Sequence, residues 1–502
     1  MTSEVRAVRS WATEPEFYEA PWPRVNGLRP APYQLAGVEY RLGRQNGAFG
    51  DEPGLGKTIE CILVSNATQA KRTLVLCPAS LRLNWEREIW RWSNLENVQT
   101  YPVLSAKDGV SLVSDYLILS YDSLRNNSIY SALMEGLWDH LIFDEAHYLK
   151  DPKGNMRTAR SLGGRRWNKK EREWDTYKGI VSRCGMVTCA TGTPMPNQPI
   201  EIYNMARLLD WDSISRMTLN EFREYFYVEE DGWVFGPVTK VTAEGSYTVR
   251  ERHRARVRTK PRRTKELQQR MRGNWMVRRL KSQVLPQLPS QRWTLFPLED
   301  DASIRKAFRH GGWKVLKSLL EMSGEDFDPT AAIDGQVATA RRLVGEAKAP
   351  AIAQYCHELL SNANKLVVCA WHTSVLDILG EQLARYSVVR MDGKTPPGLK
   401  QMMVDKFQDP GSKVRVILGQ MQPLGMGWTL TEAQDVVFGE PDWVPGVNQQ
   451  MLDRVHRIGQ KGSHAIGHIP YVPGTIEEVI LHRVTQKSSV IHSALDETYD
   501  GG

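Results

Sequence analysis

The sequence predicts an α/β protein of two parallel-sheet lobes in tandem, with a mainly helical, basic insertion between them. Three observations carry that prediction. Short β-branched runs alternate with helical patterns in two separate regions; the runs are continuously apolar; and the stretch between the two regions lacks the alternation. Continuous apolar runs suit strands covered by helices on both faces, which is the environment of a parallel sheet.

In the first region the runs are Thr73–Cys77, Tyr116–Leu119, His140–Phe143 and Met186–Ala190. In the second they are Leu366–Ala370, Val388–Met391, Val414–Leu418 and Asp435–Phe438. Between two of these, Val375, Leu376, Leu379 and Leu383 recur at helical spacing. The middle of the chain differs. Phe222–Phe235 is aromatic-rich, Gly236–Arg250 alternates about Gly245 as a hairpin would, Pro286 and Pro289 bracket a break, and 323–335 reads as an acidic loop. The expected organisation is a lead-in over 1–27 and a first lobe over 28–285 with insertions at about 153–178 and 212–274. A connector with a helical protrusion follows over 286–345, then a second lobe over 346–470 and a C-terminal helical brace over 471–502.

Of 502 residues, 25% are charged and 41% hydrophobic, which excludes a disordered chain. Residues 1–25 hold no apolar targeting core, and no run approaches a membrane span, so no membrane partner is expected. The six cysteines form no C-x-x-C pair, which excludes a zinc ribbon or redox dithiol and favours a reducing, cytoplasmic compartment. The net charge of +7 is too mild to name a partner. Its distribution is informative: residues 250–281 hold fourteen Lys/Arg against two acids, a net of +12, and the remainder carries −5. Residues 165–178 form a second, more diluted basic stretch, suited to a solvated helix.

The strongest local signal is Asp51–Thr58, DEPGLGKT, ahead of a helical run. Gly54 and Gly56 allow the tight turn that aims backbone N–H groups at phosphate oxygens, beside a helix N-terminus. Lys57 would reach the β- and γ-phosphates and the Thr58 hydroxyl would ligate Mg²⁺. A strict phosphate-loop pattern places Gly where Asp51 stands. About ninety residues later, an apolar strand runs into Asp144-Glu145-Ala146-His147. There Asp144 is suited to hold Mg²⁺ and Glu145 to polarise the attacking water. The second region supplies Arg454 and Arg457, three apart and suited to face developing phosphoryl charge.

With these motifs in order, the chain resembles the Swi/Snf-type ATPases of the superfamily-two helicases and translocases. Gln34 resembles the adenine-reading Gln motif; Pro78–Glu88, Ser120-Tyr121-Asp122, Asp144–Lys150 and Thr191–Asn197 continue the family order. Asn274–Pro289, Ala370–Leu383, Met391-Asp392-Gly393 and Gln449–Gln460 complete it, and Leu424–Thr429 is similar to the annealing-helicase (HepA-related) branch. Gly419–Pro423, GQMQP, departs from the usual start of the fifth motif, and Lys400 stands where Arg is common. The resemblance implies RecA-like lobes, ATP and Mg²⁺ as cofactors, and double-stranded or branched DNA as partner, bound by a monomer or by copies assembling on DNA. It implies nucleotide contacts from Gln34, Gly54, Gly56, Lys57, Thr58, Gly427 and Gln460, with His147, Thr191 and Thr193 coupling nucleotide state to DNA. DNA contacts are expected at Asn84, Trp85, Ser120, Tyr121, Arg278, Arg279, Lys281, Trp371, His372, Gly393 and Lys394. An RNA helicase is disfavoured because DRVHRIGQ lacks the Gly-rich sixth motif of the DEAH-box type. Retention of Lys57, Asp144, Glu145, Arg454 and Arg457 opposes a DNA-binding regulator without turnover. The compact form suits a bacterial cell or a virus-infected bacterium.

Overall fold

A computed structural model describes residues 10–15, 27–105, 107–150, 156–168, 173–196, 198–242, 245–298, 336–425 and 427–496. The acidic loop expected at 323–335 and the middle of the expected protrusion lie outside these residues.

The first sheet contains β1 (Asn46–Phe49), β2 (Thr73–Cys77), β3 (Thr100–Pro102), β4 (Tyr116–Ser120) and β5 (Trp138–Asp144). After a hairpin of β6 (Gly164–Asn168) and β7 (Glu173–Tyr177), it resumes with β8 (Cys184–Ala190). A second hairpin, β9 (Tyr227–Thr242) and β10 (Gly245–Pro261), precedes its last strand, β11 (Met276–Val277). The order across this sheet is β11-β1-β8-β5-β2-β4-β3, all parallel. The second sheet is built from β12 (Ser290–Pro297), β13 (Leu366–Ala370), β14 (Val388–Met391), β15 (Val416–Gln420), β16 (Asp435–Phe438) and β17 (His464–Tyr471). Its order is β12-β17-β16-β13-β15-β14, again parallel throughout.

Each sheet has two covered faces, which is why its central strands read as unbroken apolar runs. In β2, Leu74 and Leu76 enter one core layer while Val75 and Cys77 enter the other. In β13, Val367 and Cys369 face one layer and Leu366, Val368 and Ala370 the opposite one. Full burial of a Leu or Val side chain contributes about 1.5–3 kcal/mol, so a single polar change here is costly. The helical spacing from Val375 is realised in the helix Thr373–Gln382, whose Val375, Leu376 and Leu379 are buried.

Four features differ from the sequence expectations. First, the described part of the 212–274 insertion carries a long antiparallel ribbon, β9–β10, between its helices Leu219–Phe226 and Thr264–Asn274, and the 153–178 insertion a short one, β6–β7. The reason is period: over Arg250–Arg258 arginine recurs at every second position, the repeat of a strand and not of a helix. Second, β12 pairs with β17 over its whole length, so the second lobe begins at Ser290 and the 286–345 segment is not simply a connector. Trp293 secures it, packing over Phe438 with ring centroids 5.2 Å apart. Third, β15 starts at Val416 rather than Val414. Fourth, the four-residue β1, rich in small residues, forms a strand no apolar run announced.

The C-terminal helix Ile476–Leu495 crosses between lobes. Leu481 joins the second lobe's core, whereas Ala494 and Leu495 enter that of the first. Among the described residues, no helix is long and apolar enough to cross a membrane.

Candidate active site

The site lies where the C-terminal ends of β1 and β5 meet the turn that follows the second lobe's helix Pro445–Leu452. Loops at the carboxyl ends of parallel strands converge on one crevice, which is where such sheets hold ligands. Beyond β1 the chain enters the phosphate loop, and Gly54 and Gly56 take φ values of +94° and +83°. Only glycine adopts this left-handed turn without steric cost. Gly56 caps the helix Lys57–Ala67, so the free N–H groups of its first turn face the loop's concavity. Lys57 Nζ donates to the carbonyls of Asp51 (2.7 Å) and Glu52 (3.1 Å), folding the loop about its own ammonium. Gln34 supports the loop from outside: its Nε2 donates to the Leu55 carbonyl at 3.1 Å and its Oε1 accepts from Ala31 N at 2.9 Å.

Asp51, the residue that breaks the strict phosphate-loop pattern, is fully buried and paired with Arg279. Arg279 also reaches Glu60 Oε1 at 2.6 Å and the Tyr33 carbonyl. Burial, reinforced by the Asp51 charge, pushes the Glu60 carboxyl up to about 8. The substitution therefore has a local purpose: it clamps the phosphate loop to the segment after β11.

At the end of β5, Asp144 is held from both sides. Its Oδ2 accepts from Trp85 Nε1 at 2.7 Å and its Oδ1 from the Glu145 N–H at 3.0 Å. Burial first, and then the adjacent Glu145 charge, raise its carboxyl to about 6. Burial also opposes ionisation of Glu145, but His147, Arg454 and Lys57 outweigh it and hold that carboxyl down at about 2. Glu145 takes φ +49°, an uncommon conformation for a side-chain-bearing residue, and its buried Oε2 makes no hydrogen bond. A chain of contacts leads away from it. His147 Nδ1 lies 3.2 Å from Glu145 Oε2 and 3.1 Å from Thr191 Oγ1, which accepts from the Thr193 N–H at 3.2 Å. Thr193 Oγ1 then accepts from Gln450 Nε2 of the second lobe at 2.8 Å.

The second lobe brings Arg454 and Arg457 to the same place. A Cβ on Gly54 would lie 3.0 Å from Arg457 Cγ, so the arginine packs directly on the phosphate loop. Arg457 Nε donates to the Asp453 carbonyl at 3.1 Å, while the buried Arg454 Nε has no hydrogen-bond partner. Burial, with Arg454 beside it, pushes Arg457 down to about 9, and burial likewise depresses Lys57 and Arg454. Three cations, Arg454 buried and Lys57 and Arg457 half-buried, thus converge beside the phosphate loop, and a polyphosphate would reverse all three shifts.

Lys281, also buried, bridges the lobes. Its Nζ reaches Asp453 Oδ1 at 2.6 Å and the His456 carbonyl at 2.8 Å. Gly427 takes φ +65°, packs on Leu81 of the first lobe and offers its carbonyl to Arg457 Nη1 at 3.5 Å.

Several residues expected at DNA are elsewhere. Trp85 and Tyr121 are buried behind the catalytic strand, with the Tyr121 hydroxyl donating to the Asp144 carbonyl at 2.8 Å. Ser120 is buried and caps its own turn, and Asn84 is half-buried on the outer helix. Arg278, Arg279 and Lys281 are buried in ion pairs, Arg278 with Asp496 at 2.6 Å, so none is available to a phosphate backbone. Burial is tolerable for these cations only because each meets a carboxylate. Gln460, expected at nucleotide, spends its amide on the Ala433 and Val455 carbonyls and on Gly462 N–H, bracing the arginine turn. The remaining candidates gather in the second lobe. Trp371 is 36% exposed, and Gly393 and Lys394 are exposed. Gln420 joins them, accepting from Gly393 N–H at 3.0 Å and donating to the Trp371 carbonyl at 3.1 Å. Glu440 holds His372 Nδ1 at 2.6 Å. Sequence reasoning missed the roles of Asp51, Gln420, Gln450 and Asp453; the two motif departures at Asp51 and Gln420 were the available signal.

Comparison with known proteins agrees with this arrangement. An SNF2-related domain matches residues 33–167 and a helicase conserved C-terminal domain matches residues 348–459. The chain is 27% identical over 487 residues to the DNA annealing helicase and endonuclease ZRANB3 of Bos taurus, covering 93% of this chain and 40% of that protein. It is also 27% identical over 477 residues to the SWI/SNF-related matrix-associated actin-dependent regulator of chromatin subfamily A-like protein 1 of Xenopus tropicalis, covering 93% and 45%. The chain thus spans less than half the length of these relatives. The Sulfolobus solfataricus SWI2/SNF2 ATPase core in complex with dsDNA aligns at 17% identity and a TM-score of 0.40, over 96% of this chain and 99% of that one. With both domains in order on two parallel-sheet lobes, the chain belongs to the Swi/Snf-type ATPases of the superfamily-two helicases and translocases.

Proposed function

We propose that the chain is an ATP-driven translocase of double-stranded DNA that remodels forked or branched substrates. The observation that carries the reading is the convergence of Lys57 from one lobe with Arg454 and Arg457 from the other, all depressed by burial. ATP binding there joins the lobes, and hydrolysis removes the charge that holds them. If each lobe grips the DNA backbone differently in the two states, the cycle steps along it. The patch of Trp371, Gly393 and Lys394 is the second lobe's grip.

Within the site, Lys57 leaves the Asp51 and Glu52 carbonyls for the β- and γ-phosphates. Glu145, ionised beside His147, orients the attacking water and takes up its proton, while Arg454 and Arg457 stabilise charge on the γ-phosphoryl. The donor set fits Mg²⁺: Asp144 and the Thr58 hydroxyl would hold it. Among the described residues no cluster of three or more His, Cys, Asp or Glu could bind a metal alone, so the other ligands come from phosphate and water. Bound there, the ion would neutralise negative charge on the phosphates.

The test is the ATPase rate with duplex, forked and single-stranded DNA and with RNA, for wild type and Lys57→Ala. Stimulation by duplex or forked DNA that disappears in Lys57→Ala supports the reading. Stimulation by RNA alone, or equal rates in the two proteins, overturns it.

A further inference from the structure

The loop after β13 carries Trp371 and the loop after β14 carries Gly393 and Lys394, all three exposed. These two strands are not neighbours, because β15 runs between them and pairs with both. The shortest link between the loops crosses the end of β15, whose last residue is Gln420. A primary amide has one end that donates and one that accepts, and Gln420 spends them on opposite sides. Its Nε2 donates to the Trp371 carbonyl at 3.1 Å, and its Oε1 accepts from the Gly393 N–H at 3.0 Å.

The residue before it makes this reach possible. A Cβ on Gly419 would lie 2.7 Å from the Met391 carbonyl oxygen, so a side chain there would push β14 away from β15. Gly393, two residues beyond Met391, would move with it. At position 420, a serine or threonine hydroxyl sits one carbon from the backbone and is too short to span both loops. Glycine and glutamine, the first two residues of GQMQP, therefore act as a pair. One brings the strands together and the other ties their loops.

Each loop is also fixed on its own far side. Buried Glu440 accepts through Oε2 from the Trp371 N–H at 3.0 Å and the His372 N–H at 2.8 Å. The Arg341 guanidinium lies 5.0 Å from the centre of the Trp371 ring. In the other loop, Asp392 Oδ1 accepts from the N–H groups of Lys394 at 2.9 Å and Thr395 at 3.0 Å, which leaves the Gly393 N–H to Gln420. Two pieces that are rigid in themselves, once joined, keep a set separation. Contacts held in that way bind a partner without first being ordered.

We propose that Gln420 is a positioning residue for DNA, holding Trp371 and Lys394 at the separation at which both engage one stretch of backbone. The inference rests on the translocase reading and adds to it the residue that sets the geometry of the second lobe's grip. The amide is neutral and its hydrogen bonds are spent within the protein, so its removal subtracts no phosphate contact of its own. Any effect of position 420 on salt dependence must then pass through Lys394.

The test measures fluorescence anisotropy of labelled duplex DNA across a NaCl series without nucleotide, using the full chain. Proteins compared are wild type, Q420M, Q420S, K394A and Q420M/K394A. K394A should flatten the slope of log K against log[NaCl] by about 0.9, the value for one phosphate no longer neutralised. Q420M and Q420S remove no charge, yet each should flatten the slope by a similar amount. Q420M/K394A should flatten it no further than K394A does, since the two changes act on one contact. In the free protein, the Gly393 amide should exchange its hydrogen faster in Q420M than in wild type. The amides of Lys394 and Thr395, held by Asp392, and those of Val416–Leu418 should keep their wild-type rates, reporting an intact turn and sheet. A wild-type slope in both Q420M and Q420S, or slope losses that add in the double variant, overturns the positioning role and leaves the translocase reading standing. Unchanged exchange of Gly393 in Q420M overturns the bridge itself. A wild-type slope in K394A removes Lys394 from the grip and overturns the inference. Wild type that binds no DNA overturns both readings.

Discussion

Asp144 and Glu145 are adjacent carboxylates that the fold drives in opposite directions, and the difference is chemical rather than positional. Asp144 is raised to about 6 by burial and by its neighbour, whereas Glu145 is held at about 2 by His147 and two cations against the same burial. The folded value of Asp144 exceeds the ~3.9 of an unfolded Asp. Its favourable share of stability is therefore present below about pH 4 and lost as pH rises through about 6. Asp144→Asn at pH 7.5 is accordingly expected to raise Tm while reducing ATP turnover at least about 100-fold, measured by thermal denaturation and phosphate release. The Trp85 indole stabilises the ionised carboxylate through its 2.7 Å hydrogen bond. Trp85→Phe should then move the acidic limb of the ATPase pH profile upward and increase the Mg²⁺ concentration needed for half-maximal rate. A profile that keeps its midpoint would make Trp85 a packing residue only. Arg457→Ala should retain nucleotide binding, read by equilibrium titration, and lose turnover by about 10³-fold. Equal loss of affinity would mean that the arginine shapes the pocket instead.

At the scale of elements, the segment after β11 is where three closely spaced cations are shared among three structures. Arg278 ties to the C-terminal helix through Asp496, Arg279 to the phosphate loop through Asp51, and Lys281 to the arginine turn through Asp453. Removing one partner of a buried pair leaves an uncompensated charge and costs about 3–5 kcal/mol. Lys281→Met is expected to destabilise the fold by that order, with Lys281→Met/Asp453→Leu recovering part of it, read from urea unfolding as a coupling energy. Additive effects would show that the pair makes no net link between lobes. This segment also marks the limit of what sequence reveals. The phosphate loop, Asp144-Glu145 and the two arginines are legible because each carries its chemistry in a few adjacent residues. Arg278, Arg279 and Lys281 are not, since an arginine in a basic run looks the same whether it faces solvent or a carboxylate 228 residues away, as Arg279 faces Asp51. The central strands are readable because both faces are apolar; β1 and β12 are not, one being short and small, the other an edge strand of mixed character.

For the whole molecule, the C-terminal helix links cores that the sheets keep apart. Leu495 is 2% exposed in the first lobe, while the helix begins beside the second. Leu495→Ala should cost about 2–5 kcal/mol and lower the first lobe's unfolding transition, followed by hydrogen exchange of β1 and β8 amides. If only the helix's own amides exchange faster, its end is an appendage rather than part of the core. The +7 of the whole chain likewise resolves into separate parts, with cations sunk in the lobe junction and others ranged along the ribbon. The chain passes from the first sheet to the second after β11 and returns to it along the C-terminal helix. Two crossings define a line, and bodies joined at two points along a line keep one easy freedom, rotation about it. Were the lobes to part, these two crossings would confine the movement to a swing that carries Arg454 and Arg457 along one arc away from the phosphate loop.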